Sequence, residues 1–149
     1  GLANILEAHR SASALAATLS DPPRKIPIQS FSILPKVREV DLFLASDPRL
    51  RERIVESHPE VAFAVLNDGR EMEHGKKSQL GRIEREAVLS RHGIPTEAFD
   101  QSLPGVPHDD RLDALVMLLI ADRHALGLAR PYPNLPHRDE HGLPIAIWA

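Results

Sequence analysis

With 149 residues, 42% of them apolar and 26% charged, the chain is sized and composed to fold as a single domain, residues 1–149, around a buried core. Its 21 acids outnumber its 18 Lys and Arg, giving a net charge of −3 and a pI near 6.2, which excludes a chain that is basic throughout for nucleic acid. The absence of cysteine excludes disulfides, thiolate metal sites and Cys nucleophiles, and with no secretory or membrane-spanning pattern the chain reads as cytoplasmic and free of membrane.

Taken in order, Ile5 to Leu19 is an alanine-rich helix with Ile5, Leu6, Leu15 and Leu19 as its inner side, ended by Ser20-Asp21-Pro22-Pro23. After a loop, Gln29 to Ala45 is a second helix, with Phe31, Leu34, Val37, Val40 and Leu44 three and four apart; Pro35 predicts a kink or a later start. Ser46-Asp47-Pro48 is a cap with proline at the first helical position, leading into a short turn to Glu52. Arg53-Ile54-Val55-Glu56-Ser57 is the best strand: short, β-branched and bounded by turn signals. His58-Pro59-Glu60 opens a helix that Asn67-Asp68-Gly69 closes.

Arg70 to Lys77 is a polar loop containing His74-Gly75-Lys76-Lys77. Ser78 to His92 is a charged amphipathic helix stopped by Gly93, with Leu80, Ile83, Ala87 and Val88 inward and Arg82, Glu84, Arg85 and Glu86 on a solvated face. A turn-rich piece, Ile94 to Phe99, and a loop, Gln101 to Pro107, lead to the central stretch. There Ala114 to Ala121 is an unbroken apolar run of eight, too short for a bilayer and right for a buried helix. Asp109 or Asp110 fits its N-cap, Arg123 and His124 sit in its last turns, and Gly127 fits the left-handed stop. Asp113 lies past the cap and is followed at once by core residues, so its carboxylate must be solvated in a cleft, paired, or bound to metal. Leu143 to Trp148 ends the chain as a strand.

One strand ending in Glu56 and one core helix opening with Asp109, Asp110 and Asp113 could together hold a hard cation, magnesium or manganese, through oxygen ligands. Two such ions about 3.5–4 Å apart activate water and stabilise the leaving oxygen of a phosphodiester. His58 and Glu60, just past Glu56, would support the ligands from behind, while Lys76 and Lys77 could hold phosphate as point charges. The eight histidines show no HExxH or comparable helical pair, and His137 and His141 fall in a Pro/Gly-rich stretch. No GxSxG elbow and no GxxxxGK[ST] or GxGxxG loop is present, which excludes those hydrolase and nucleotide-binding types.

Five pieces then carry a resemblance: Leu34-Pro35-Lys36-Val37-Arg38-Glu39-Val40-Asp41; Arg53 to Glu60; His74-Gly75-Lys76-Lys77-Ser78 with Gly81-Arg82; Asp109 to Leu115; and Arg138 to Pro144 running through Ile147-Trp148. In this order and spacing the chain, from about Gln29 to Trp148, resembles a bacterial and archaeal family of uncharacterised proteins described as predicted nucleases with an RNase H-like fold. The resemblance implies an α/β, RNase H-like fold, mostly helical in this chain with few short strands. It implies Glu56 as the strand-borne acid and Asp110 and Asp113 as late-helix acids, similar to those of RuvC-like resolvases. Asp109 would be a further ligand, and Lys36, Arg38, Lys76 and Lys77 would line the same cleft.

The chain departs from that family at its start. Nothing matches the family's opening Asp-Gly strand, and the first residues are Gly1-Leu2-Ala3, so the expectation is a C-terminal part or a shortened relative with an incomplete two-metal site. An RNase H-like core lacking its first strands would expose sheet edge and invite self-association or pairing with an N-terminal segment. Three readings follow: a metal-dependent nuclease, inactive or incomplete without its opening strand; a non-catalytic protein of the same fold that binds nucleic acid, nucleotide or a protein partner; and phosphotransfer on a small molecule.

Overall fold

The structure, a computed structural model, describes residues 2–101 and 103–149, and their side chains except at residues 2, 3 and 52. Gly1, and Ser102 of the expected 101–107 loop, lie outside the described residues. Contacts gather into two compact units, residues 1–52 and 53–149.

The first unit contains α1 (Leu2–Leu19) and α2 (Ile28–Ser46), both in the expected places. The expected inner side of α1 is not inside: Ile5, Leu6, Leu15 and Leu19 are all exposed. Its one buried position among the described residues is Ser13, whose hydroxyl donates to Ile26 O at 3.1 Å, and His9 Nε2 lies 2.8 Å from the same carbonyl. The helix is thus fastened to the Ile26 carbonyl by polar groups rather than by Leu6, Leu15 or Leu19. In α2 no residue is buried: Leu34, Val37 and Val40 of the expected stripe are exposed, while Phe31 and Leu44 at its ends are half-buried, Phe31 meeting the His9 ring edge-on at 5.3 Å. Starting at Ile28, α2 takes Pro35 into its interior, which rules out the later start. Helix α3 (Pro48–Arg53) follows, capped as expected: Asp47 Oδ1 accepts from Arg49 N, and the Arg49 guanidinium grips the same carboxylate, holding it below the usual carboxylate range.

The second unit is built on α4 (Pro59–Leu66), α5 (Gln79–Arg91), the short α6 (Glu97–Asp100) and α7 (His108–Ala125). Ala62, Phe63 and Leu66 of α4 meet Val88 and Leu89 of α5, Phe99 of α6 and the Leu112-Val116-Ile120 stripe of α7; Ala149 closes the same core. The i, i+4, i+8 spacing of that stripe puts it on one side of α7. The expectation of a buried helix is therefore corrected to one buried along a single side. Leu115, Met117 and Leu119 are half-buried against the core, and Leu118 is exposed, because α4, α5 and α6 cover one side of α7 only.

The inward face of α5 is also corrected. Gly81, Arg85, Val88 and Leu89 point in, while Leu80, Ile83 and Ala87 are exposed. The 73–75 loop folds onto the first turns of α5, and only glycine at 81 admits it: a Cβ there would collide with the Gly75 carbonyl. This contact fixes which side of α5 faces in.

Helix ends follow the sequence closely. His58 caps α4 through Nδ1, which accepts from Glu60 N, with Pro59 at the first helical position. Ser78 caps α5 by accepting from Gly81 N at 3.0 Å. Gly93 and Gly127 take the left-handed conformation after α5 and α7. On α7 the capping expectation is corrected: Pro107 holds the N-cap position with no side-chain cap, and Asp109 and Asp110 lie in the first turn instead.

The expected strand 53–57 does not form a ladder. Residues 54–58 form neither helix nor strand, and their one backbone bond to residues 147–149 is Trp148 N to Glu56 O at 2.8 Å, beside Ser57 Oγ donating to Trp148 O. Their neighbour is only two residues long. β1 (Pro131–Tyr132) pairs antiparallel with β2 (Ile147–Trp148), with Pro131 opposite Trp148 and Tyr132 opposite Ile147. The expected strand 143–148 is cut to its last part, plus a lone bridge from Arg138 to Pro144, because Pro144 has no N–H to donate to a ladder. The His124 and Trp148 rings meet edge-on at 5.1 Å, seating β2 on the end of α7.

Candidate functional site

The site is built on the 73–78 loop, which α5 holds by three bonds to Glu84 and Arg85 and which Ser78 ties internally. Glu84 accepts from Glu73 N at 2.8 Å and His74 N at 3.1 Å. Burial pushes the Glu84 carboxyl up, but these two amides, with the charges of His74 and Arg85, bring it below its usual value. Ser78 Oγ donates to Gly75 O at 2.8 Å while capping the helix. Arg85 Nη1 donates to His74 O and Gly81 O.

Held this way, the loop aims Lys76 at α7. Its Nζ lies 2.8 Å from Asp113 Oδ2, and this bond, opposed by partial desolvation and helped by the charges of Asp113, Asp109 and Asp110, raises the Lys76 pKa above its ordinary value. The constraint on Asp113 read from the sequence is thus resolved as pairing, by Lys76. Asp113 Oδ1 is buried with no hydrogen-bond partner.

Beside this pair is an open cleft of about 380 Å³, lined by Lys76, Lys77, Ser78, Gln79, Arg82, His108 and Asp109. Two of its lining residues, Arg82 and His108, belong to a hydrogen-bonded relay that continues behind the lining through Glu86 and Arg111. Arg82 Nε donates to Glu86 Oε1 at 2.7 Å, His108 Nε2 lies 2.9 Å from that oxygen, and Arg111 Nη2 lies 2.7 Å from His108 Nδ1. A guanidinium can only donate, so Nδ1 accepts and the His108 proton sits on Nε2, directed at Glu86. Lys77 makes no ion pair among the described residues and is exposed at the cleft rim.

The expected site residues are brought together only in part. Lys76, Lys77 and Asp109 line one cleft, Asp113 is joined to it through Lys76, and Asp110 stands in the first turn of α7 within reach of the Lys76 charge. Glu56 is exposed on the 54–58 segment and is not among the cleft's lining residues. His58 is a helix cap, and Glu60 accepts two bonds from Arg85 Nη2, at 2.9 and 2.8 Å, so both have structural partners of their own. Lys36 and Arg38 stand on α2 in the first unit, where Arg38 lines a hollow with Phe31, Leu34 and Pro35.

As a home for magnesium or manganese these residues do not fit by themselves. Among the described residues no three His, Asp or Glu side chains gather as a ligand group, and the accessible oxygen of Asp113 already carries an ammonium. Sequence reasoning missed Arg85, which was placed on a solvated face and is 2% exposed, and the Arg82-Glu86-His108-Arg111 relay. The spacing of Gly81, Arg85, Val88 and Leu89 was the available signal for Arg85.

Among the described residues no helix is long and apolar enough to cross a membrane. No curated protein and no solved structure matches the chain. A model of the family described as a protein of unknown function (DUF429) matches residues 3–138, nearly the whole chain, and the chain therefore belongs to that family.

Proposed function

We propose that the cleft at the start of α5 holds the phosphate groups of a nucleic acid or nucleotide. The observation that carries this reading is the set of donors around it: Lys77 with no ion pair among the described residues, Lys76 and Arg82 as further cations, and the α5 N-terminus, whose first amides favour an anion. Asp109, which also lines the cleft, limits how much negative charge it takes, which favours one or two backbone phosphates over a polyphosphate cluster. The acidic net charge agrees with a local patch rather than a basic face.

The test is titration with a fluorescently labelled oligonucleotide at 50 and 200 mM salt. A phosphate contact through Lys77 predicts that Lys77→Ala weakens binding irrespective of sequence and lowers the magnitude of the salt slope by about 1. An unchanged slope, or no binding by the parent chain, sinks the reading.

A second reading, metal-dependent phosphodiester hydrolysis of RNase H-like type, is supported by one feature: the buried, unpartnered Oδ1 of Asp113 next to Asp109 and Asp110 in the first turns of α7. It requires a further carboxylate beside Asp113. Manganese calorimetry on the parent chain and on Asp113→Asn addresses it directly. Binding lost in the variant supports the acidic site, and equal heats in both remove Asp113 from any metal site.

A further inference from the structure

Arg85 is the most buried charged group among the described residues, at 2% exposure, and the proposed phosphate contact does not use it. Its Nη2 makes a two-pronged pair with Glu60 on α4, its Nη1 bridges His74 O and Gly81 O, and its guanidinium carbon lies 5.4 Å from the centre of the Phe63 ring. One side chain therefore joins α4, α5 and the 73–78 loop. A guanidinium suits this position because its fixed fork satisfies a carboxylate and two carbonyls at once, which an ammonium cannot do with the same geometry.

We propose that Arg85 is the positioning residue of the candidate site: it sets the 73–78 loop so that Lys76 reaches Asp113 and Lys77 stands at the cleft rim. Two routes lead from the guanidinium to the lysines. His74 O is two residues before Lys76, and its direct bond to Arg85 fixes the loop's path. Gly81 O, bonded to the same nitrogen, keeps Gly81 where the Gly75 carbonyl packs on it without a side chain between them. Glu60 orients Arg85 in turn. The sequence triplet His58-Pro59-Glu60 thus acts on the cleft indirectly: His58 and Pro59 start α4, and that start delivers Glu60 to Arg85. Glu60 is half-exposed on its other side, so the pair is anchored rather than sealed.

The inference rests on the phosphate reading for its purpose, but the positioning is measurable apart from it. The chain and its Arg85→Met, Arg85→Lys and Glu60→Gln variants are digested briefly with trypsin under native conditions, and each is titrated with the same labelled oligonucleotide. Cleavage after Lys76 and Lys77 reports loop opening; cleavage after Arg111 and Arg123, inside α7, reports opening of the whole unit. Positioning predicts that Arg85→Met raises the loop-to-helix cleavage ratio at least tenfold and weakens oligonucleotide binding. Arg85→Lys, which keeps the charge and loses the fork, gives an intermediate ratio, and Glu60→Gln moves it least.

If all cuts accelerate together in Arg85→Met, the role is general stability and the proposal fails; Glu60→Gln, the milder change, repeats the test should Arg85→Met not fold. An unchanged ratio in every variant also overturns it. A raised ratio in a chain that binds no oligonucleotide leaves the positioning role standing and removes the phosphate reading.

Discussion

The helices of residues 2–52 and those of residues 59–125 look alike on paper, yet they meet different fates. In α4, α5 and α7 the apolar stripes close on one another, and Phe63, Leu89, Leu112 and Val116 are sealed. In α1 and α2 Leu6, Leu15, Leu19, Leu34, Val37 and Val40 are exposed, and the fastening of α1 is polar, through His9 and Ser13 to one carbonyl. Periodicity shows that a helix has an apolar face. It does not show what covers that face, because cover depends on residues distant in sequence.

The sharpest way to break this comparison is truncation. Phe63→Ala, which opens a cavity in the sealed core, is expected to cost about 3–5 kcal/mol. Val37→Ala on the open face of α2 is expected to cost no more than about 0.5 kcal/mol. Chemical denaturation of both variants decides it, and comparable losses would mean that α2 is covered in solution.

Next in size is the buried cation. Arg85→Met removes the bonds to Glu60, His74 and Gly81, and an expected loss of about 2–3 kcal/mol follows from charge-assisted bonds in a site where Glu60 can still be rehydrated. Gly81→Ala tests the same junction from the backbone side. The new methyl must displace the Gly75 carbonyl, for about 1–3 kcal/mol, and its thermal unfolding would be unchanged if the loop moved freely.

Smaller still is the outer pair. Lys76 and Asp113 are partly solvated, so Lys76→Ala is expected to change stability by less than about 1 kcal/mol while weakening oligonucleotide binding. Equal binding by Lys76→Ala and the parent chain would assign Lys76 to structure alone.

The smallest effects are set by pH, and their signs are opposite. Glu84 is held below its ordinary value of 4.5, so its contribution is present above that value and fades as pH falls through the lower folded value. Lys76 is raised above 10.5, so its contribution is complete below that value and fades as pH rises through the higher folded one. Amide exchange at Glu73 and His74, whose N–H groups bond Glu84, should accelerate in acid before the amides of α7 do; a simultaneous change would dissociate Glu84 from loop anchoring.

Much of the helical layout was legible in the sequence, and for local reasons. His58 before Pro59, Ser78 before α5, Asp47 before Pro48, and Gly93 and Gly127 at helix ends act within one turn of the backbone, so their meaning does not depend on the rest of the fold. The site was legible in part for the same reason. His74-Gly75-Lys76-Lys77 marked a basic loop before a helix, and Asp113, placed just past a helix start and ahead of core, required a partner. That this partner is Lys76 was not readable, because the pair spans 37 residues and depends on how α5 turns.

What the sequence by itself determined, then, was where most helices begin and end, that Asp113 could not stand alone, and that the chain carries the pattern of one family. Tertiary structure alone decided which faces turn inward. Gly81 packs under the Gly75 carbonyl and Arg85 is buried on that side of α5, while Leu80 and Ile83 stay outside, and the two-residue β2 leaves 54–58 without a ladder. Capping is a one-turn hydrogen-bond problem, whereas burial and strand pairing are settled by surfaces that meet only when the chain is folded.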